Sequence, residues 1–227
     1  MLSIAKSLKR LLPKRIRSVL VKLWIGILKL FGKDLDYFYG EDFAGMSEFR
    51  NKEWAGEFAE IIIKSFDPAS VIDVGCGTAD ILRPFQDKDV KVLGVDGSGA
   101  NKRHSRISPE NFVLHDLRKG YDPQEKFDLC LCLEVAEHIE EKFSDKLIDT
   151  LTASSDTVIF TAAPPGQEGK NHVNLKPKRW WLEKFRSRGF ALDEETTAQV
   201  KSQMERVPGV HWWYIQNLMV FKKTVNG

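Results

Sequence analysis

The segment VIDVGCGTAD at residues 71–80, followed by LGVDGS at 93–98, constrains this chain more than any other feature. Val71 to Val74 is an apolar run that carries one acidic residue and then breaks into two glycines separated by a single residue. Such a run reads as a buried parallel strand that ends in a glycine-rich turn and enters a helix. Gly75 and Gly77 let backbone amides approach a ligand that any Cβ would block. A second apolar run, Lys91 to Val95, ends in Asp96, about twenty residues after the turn. A carboxylate at the tip of a second strand suits a ribose diol, because it accepts two hydroxyl hydrogen bonds at once.

This is nucleotide-type chemistry, but a dinucleotide fits poorly. The dinucleotide fingerprint needs a third glycine or alanine where this chain has Asp80. A pyrophosphate would be repelled there, whereas a ligand with a nucleoside at one end and a cationic amino acid at the other is matched. The pattern resembles that of the class I S-adenosylmethionine-dependent methyltransferases, whose first motif is an acidic residue followed by Gly-x-Gly. Asp73, Gly75, Cys76, Gly77 and Asp96 are the matching positions. The resemblance spans roughly residues 45–225. It implies a Rossmann-like sheet of seven mostly parallel strands, the last antiparallel, with helices on both faces. It also implies S-adenosylmethionine as cofactor, and adds Gly97, Leu117 and Leu133 to the cofactor set, with Asp116 holding the adenine amino group. The competing reading is any Rossmann-like domain with a tight turn after its first strand.

The rest of the pattern is α/β on its own terms. A serine-capped segment over 47–65 predicts the helix before the first strand. A helix over 79–86 follows the turn and is stopped near Pro84. Further strands are predicted over 111–116, 126–135, 156–165 and 217–223, with helices over 139–151 and 178–190, the latter closed by Gly189. Strands alternating with helices imply a mostly parallel sheet covered on both faces.

The charge balance divides the chain. The net charge is +2, yet residues 1–33 hold nine of the 34 basic residues and none of the 32 acidic ones. A basic amphipathic arm at 1–33 therefore precedes an acidic domain at 34–227, long enough to bury one full core. Over 14–33, Arg15, Ser18, Lys22, Gly26, Lys29 and Lys33 make one narrow polar stripe on an otherwise apolar helix. Lys22 and Lys29 interrupt any signal peptide or transmembrane span. An interfacial helix on an anionic membrane surface fits best. Packing on the chain's own domain or on a partner subunit is the alternative, and the face is too greasy for nucleic acid. Cys76, Cys130 and Cys132 lack metal or disulfide spacing and read as small buried hydrophobes of a reducing compartment. The predicted location is the cytoplasm, peripheral at the inner face of the membrane.

The acceptor side of the reaction is predicted at LEVAEHIEE, residues 133–141, and at the loop PPGQEGKNHVN, residues 164–174. On a helical turn Glu134, Glu137 and His138 share one face. The E-x-x-E-H element with His172 resembles two metal-dependent O-methyltransferase groups, those of the small-RNA 3′ end and of the ubiquinone pathway. That resemblance implies Glu134, Glu137, His138 and His172 as ligands of a divalent metal ion, although the glycine-rich loop matches neither group closely. A metal-free acceptor pocket and a purely structural turn are the other readings. A hydroxyl acceptor must lose its proton, to His138 or His172, with Glu134 beside them. His211 with Trp212 and Trp213 is read as core or lid packing, or as acceptor lining. Tyr37, Phe38 and Tyr39 are read as a cofactor cover or a hinge.

The start of the chain and the segment from His172 to Trp181 look like those of bacterial methyltransferases of cell-surface glycan and lipid-linked pathways. The function expected is therefore O-methylation of a glycan or lipid-linked hydroxyl at the cytoplasmic membrane face. A quinone precursor, an RNA 3′ terminus and a non-enzymatic membrane-tethered cofactor-binding module are the alternatives.

Overall fold

The computed structural model describes residues 54–225. The arm at 1–33, the aromatic stretch 37–39 and the start of the helix read over 47–65 lie outside the described residues. Seven strands form one sheet: β1 (Ser70–Val74), β2 (Lys91–Asp96), β3 (Phe112–Leu114), β4 (Leu129–Leu133), β5 (Thr157–Thr161), β6 (Phe190–Leu192) and β7 (Met219–Lys223). Their order is β3-β2-β1-β4-β5-β7-β6. The first five run parallel, and β7 is antiparallel to both β5 and β6. The described helices are α1 (Ala55–Phe66), α2 (Arg83–Gln86), α3 (Gly99–Arg103), α4 (Ser144–Ser154), α5 (Lys178–Arg186), α6 (Glu194–Met204) and α7 (Trp212–Asn217).

Strand alternation feeds two cores, one on each face. Val71, Leu129, Leu131 and Ile159 meet Trp54 and Phe58 at the start of α1 and Val200 and Met204 of α6. Ile72, Cys130, Val158 and Phe160 meet Leu147 and Leu151 of α4 and Trp181 and Phe185 of α5. Burial on both faces is why β1 and β4 read as continuous apolar runs. Each large side chain so buried contributes about 1.5–3 kcal/mol. The three cysteines are free and buried. No helix of the described residues is long and apolar enough to cross a membrane.

Besides shifts of a few residues at other element ends, the elements depart from the sequence pattern in four places. Pro84 sits in the first turn of α2 and begins that helix instead of stopping it. A first-turn N–H has no intrahelical partner to lose, so proline is tolerated there. The helix read over 139–151 is two 3-10 turns, Ala136–His138 and Glu141–Phe143, and then α4. The segment read as one helix over 178–190 ends at Arg186, turns through Gly189 at φ +75° and continues as β6. Three residues are too few for a strand period to show, and α6 behind it, capped by the Asp193 side chain on Thr196 N–H at 2.9 Å, carries a weak apolar face. Asn217 ends α7 and is not part of β7.

Neighbouring strands in this order are consecutive in sequence except at β1–β4 and around β7. The crevice therefore opens beyond the carboxyl ends of β1 and β4, where the sheet changes direction of growth.

Candidate active site

β1 brings Asp73 to that edge, and the chain then turns through Gly75 at φ +90° and Gly77 at φ +57°. Gly75 and Cys76 N–H both donate to the Val95 carbonyl, at 2.7 and 3.2 Å. A Cβ on Gly75 would lie 2.4 Å from Val135 Cγ2, and one on Gly94 would lie 2.8 Å from Cys76 Sγ. The turn is thus wedged between β2 and the segment after β4. Glycine inside a strand often marks such a close approach, a signal at Gly94 that the motif reading passed over.

Asp96 is aimed back at the turn. Its Oδ2 accepts from Gly77 N–H at 3.0 Å, and its Oδ1 accepts from Ser98 N–H at 2.8 Å and Asn101 Nδ2 at 3.0 Å. Asp73 is 3 % exposed. Burial, and then the Asp96 charge, push its carboxyl up to about 8. Two carboxylates face one turn, an arrangement that calls for positive charge. Burial also raises the Cys76 thiol, so this cysteine packs and does not react. Leu117 and Leu133 are buried apolar wall, and Gly97 is partly exposed beside Asp96.

Asp116, the residue the resemblance implies for the adenine amino group, has partners within its own turn. β3 ends before it, and its side chain caps a 3-10 turn by accepting from Arg118 N–H at 3.1 Å. The Arg118 guanidinium also grips it, through Nε at 2.8 Å and Nη2 at 2.7 Å, and holds its carboxyl below the usual range. An adenine amino group would share this carboxylate with Arg118.

Beyond β4, Glu134 takes φ +55°, a left-handed conformation that costs a non-glycine residue about 1–3 kcal/mol. Thr161 at the end of β5 holds it there, accepting the Glu134 N–H on its Oγ1 at 2.8 Å and its carbonyl at 3.3 Å. This reversal corrects the helical reading, because Glu134 lies outside the turn that carries Glu137 and His138, although its carboxylate stays in electrostatic contact with Glu137. Its carboxylate accepts instead from Gln167 Nε2 at 3.1 Å and Asn217 Nδ2 at 3.2 Å.

The 3-10 turn directs Glu137 inward, fully buried. The 164–174 loop docks on the same turn. Val173 and Asn174 N–H donate to the Glu137 carbonyl at 2.9 and 3.1 Å, and buried Asn174 donates through Nδ2 to Ser144 Oγ at 3.0 Å. Docking carries His172 to His138, with ring centroids 4.9 Å apart. Glu137, His138 and His172 each present a ligand atom, and these atoms lie within 4.8 Å of one another. Three of the four predicted ligands come together; Glu134 is engaged elsewhere.

His138 Nδ1 lies 3.2 Å from the Asn171 carbonyl and His172 Nδ1 lies 3.0 Å from the Gln167 carbonyl. A carbonyl only accepts, so each Nδ1 carries the hydrogen and each Nε2 keeps its lone pair. A Cβ on Gly169 would lie 2.2 Å from His172 Nε2, so the glycine-rich loop is what admits this imidazole. Burial, and then the His172 ring, push His138 down to about 4. Burial and the adjacent Glu134 push the Glu137 carboxyl up. The Glu137 and Ala163 amides oppose that shift, yet neither Glu137 oxygen has a hydrogen-bond partner of ordinary geometry.

His211 stacks on Trp213 with centroids 4.3 Å apart, while Trp212 is 57 % exposed, so this cluster is not core. Sequence reasoning passed over Val135, Gln167, Asn174 and Asn217. Only tertiary contacts single them out.

Residues 46–197 match the model of a family described as a methyltransferase domain. The chain belongs to this methyltransferase family. Among curated relatives, the ubiquinone biosynthesis O-methyltransferase of Rhodopseudomonas palustris strain BisA53 is 34 % identical over 76 residues, which is 31 % of this chain and 30 % of the relative. The match thus spans under a third of that relative's length. Among solved structures, CalS10 of Micromonospora echinaspora, described as an S-adenosylmethionine-bound amino pentose methyltransferase, superposes with a TM-score of 0.59 at 16 % identity. That alignment covers 79 % of this chain and 95 % of CalS10. DesVI of Streptomyces venezuelae gives a TM-score of 0.59 at 13 % identity, covering 77 % of this chain and 94 % of DesVI. Likenesses at such identities establish the fold.

S-adenosylmethionine fits the glycine turn: Asp73 and Asp96 would supply negative charge for a cationic amino-acid end and a ribose, and the glycines leave the approach clear. A divalent cation also fits the described residues. Glu137 is buried with unpartnered oxygens, and two Nε2 lone pairs beside it are oriented by backbone carbonyls, the usual outer arrangement of metal-bound histidines.

Proposed function

We propose that this methyltransferase transfers the methyl group of S-adenosylmethionine to a hydroxyl oxygen of a glycan or lipid-linked small molecule at the cytoplasmic face of a membrane. The observation that carries the reading is the adjacency of donor turn and acceptor cluster. Val135 touches the turn at Gly75, and Glu137 and His138 follow two and three residues later. Bound S-adenosylmethionine supplies an already activated methyl group, so the protein's task is in-line positioning of an oxygen at about 3–3.5 Å.

The chain's own residues then handle one proton. With no cation on the cluster, the acceptor hydroxyl gives it to an Nε2 lone pair of the imidazole pair, where His138 is held neutral at physiological pH. If Glu137, His138 and His172 instead hold a divalent cation, those lone pairs are taken, and the cation would supply the positive charge that makes a nearby hydroxyl acidic enough to lose its proton to solvent. Asp116 with Leu117 holds the adenine end, and Asp73 the amino-acid end. The membrane location rests on the nine basic residues of 1–33 and on the narrow polar stripe along the otherwise apolar segment 14–33. A quinone precursor is the second reading for the acceptor, favoured by the names of the curated relatives.

Isotope-labelled S-adenosylmethionine incubated with the protein and a bacterial extract of membrane lipids and glycans should yield a methyl ether on one of them, read by mass spectrometry. Chelation should suppress the product and added magnesium, manganese or zinc should restore it. Labelling of quinone precursors alone would move the acceptor to the second reading. Removing residues 1–33 should abolish flotation with phosphatidylglycerol vesicles; retained flotation would refute the membrane address. Absence of S-adenosylmethionine binding in a calorimetric titration would end the reading altogether.

A further inference from the structure

We infer that Glu134, Gln167 and Asn217 form the acceptor-recognition element of the site, and that it takes a vicinal diol. One hydroxyl receives the methyl group while its neighbour is held by these three side chains. The inference rests on the methyl-to-oxygen reading above and deepens it.

Three observations support it. The first is placement. Glu134 stands at the carboxyl end of β4, one residue before the Val135 that seats the donor turn and three before Glu137. The second is expense of construction. Glu134 is held at φ +55° by Thr161, and its carboxylate is gripped by side chains 33 and 83 residues away in sequence. Strained backbone of this kind gathers at functional sites. The third is the Glu137 carboxyl, fully buried with no hydrogen-bond partner of ordinary geometry and in electrostatic contact with Glu134, so that two carboxyl groups meet beside this cluster.

The hydrogen-bond inventory then selects the ligand. Each Glu134 oxygen accepts one carboxamide hydrogen, from Gln167 or from Asn217, and keeps further acceptor capacity. Asn217 Nδ2 also donates to Gln167 Oε1 at 3.0 Å, which uses both of its hydrogens. Asn217 Oδ1 has no partner among the described residues, and Gln167 Nε2 keeps one hydrogen. The cluster thus offers several acceptors and one donor. An ammonium group only donates and would waste the Gln167 hydrogen, whereas a hydroxyl both donates and accepts and answers both. With the imidazole pair next to Glu137 serving the reacting oxygen, the hydroxyl on Glu134 is its neighbour on the same acceptor. Two adjacent hydroxyls on one ring, saturated or aromatic, share this chemistry.

The test is binding by the full chain in the presence of S-adenosylhomocysteine, followed by ligand-observed NMR. The probes are methyl α-mannopyranoside for a sugar diol, catechol for an aromatic one, the mono-methyl ethers that leave no vicinal diol (the 3-O-methyl mannoside and 2-methoxyphenol), and cyclohexylamine for an ammonium. The wild type should bind at least one diol, with its mono-ether about tenfold weaker or worse. Gln167→Ala and Asn217→Ala should each weaken that diol about tenfold. Both should keep S-adenosylhomocysteine affinity within about twofold, since neither side chain touches the donor turn. Asn217→Asp should recover little, because it cannot donate to Glu134. Which diol binds separates a glycan from a quinone-type acceptor. Equal binding of diol and mono-ether, preference for cyclohexylamine, no diol binding while S-adenosylhomocysteine binds, or unweakened variants would each overturn the inference. Loss of S-adenosylhomocysteine binding by the wild type would instead sink the methyltransfer reading beneath it.

Discussion

The donor turn and the acceptor cluster meet at Val135, yet they are built in opposite ways. The donor turn is local: Asp73, Gly75, Gly77 and Asp96 lie within two adjacent parallel strands and their connection, joined by backbone hydrogen bonds of 2.7–3.2 Å. The acceptor cluster is assembled from three distant segments, after β4, after β5 and at the end of α7. Backbone geometry can be written into a short motif because the neighbouring residues dictate it. A cluster of side chains from separate loops depends on how those loops dock. The donor half therefore tolerates almost no change in its glycines, whereas the acceptor half can be rebuilt without disturbing it.

The comparison breaks most severely if the local half proves tolerant. Gly75→Val places side-chain atoms inside Val135 and demands φ +90° of a β-branched residue. It should lower S-adenosylmethionine affinity more than about 100-fold in a calorimetric titration. His138→Ala should lower kcat by about 10- to 100-fold. It should leave cofactor affinity within about twofold, the signature of a separable acceptor half. Gly169→Ala is milder. Its Cβ must displace the His172 imidazole, so kcat should fall about tenfold while the dissociation constant for S-adenosylhomocysteine holds. A parallel loss of cofactor affinity would show that the halves are one unit.

The smallest expected effect is on stability. The Asp73 carboxyl ionises near 3.8 in the unfolded chain and at about 8 in the fold. Between those values the unfolded chain releases a proton that the fold retains, so this group costs stability as pH rises from about 4 to about 8. Asp73→Asn should therefore raise the apo melting temperature at pH 8 by roughly 5 °C, with little change at pH 4. The same change should weaken S-adenosylmethionine, whose positive charge the carboxylate receives. Equal shifts at both pH values would remove ionisation as the cause.

What was legible follows the same division. The strands β1, β2 and β4 and the antiparallel last strand announce themselves because buried strands carry unbroken apolar runs. The edge strand β6 does not, since three residues behind Gly189 carry no period. Asp96 was placed by its position at the end of the second strand, and Asp73 by the family resemblance. Glu137, His138 and His172 were also named from residue type, and the structure brings them together. The helical face invoked for Glu134 was wrong, because Thr161, 27 residues away, holds Glu134 in a left-handed backbone that no local pattern encodes. The resemblance gave Asp116 the adenine amino group, and no local pattern showed that Arg118 pairs with the same carboxylate.

The sequence by itself determined the α/β class, the donor turn and the basic character of residues 1–33. These depend on periodicity, on glycine's access to positive φ and on charge, all properties of contiguous residues. Only the tertiary structure decided which acceptor-side groups meet. Gln167 and Asn217 are ordinary polar residues in sequence, and Gly169 is one glycine among sixteen. Their significance comes from loop docking, in which carbonyls orient two imidazoles and two carboxamides engage the Glu134 carboxylate beside Glu137. That outcome is set by packing and hydrogen bonds between segments far apart in the chain.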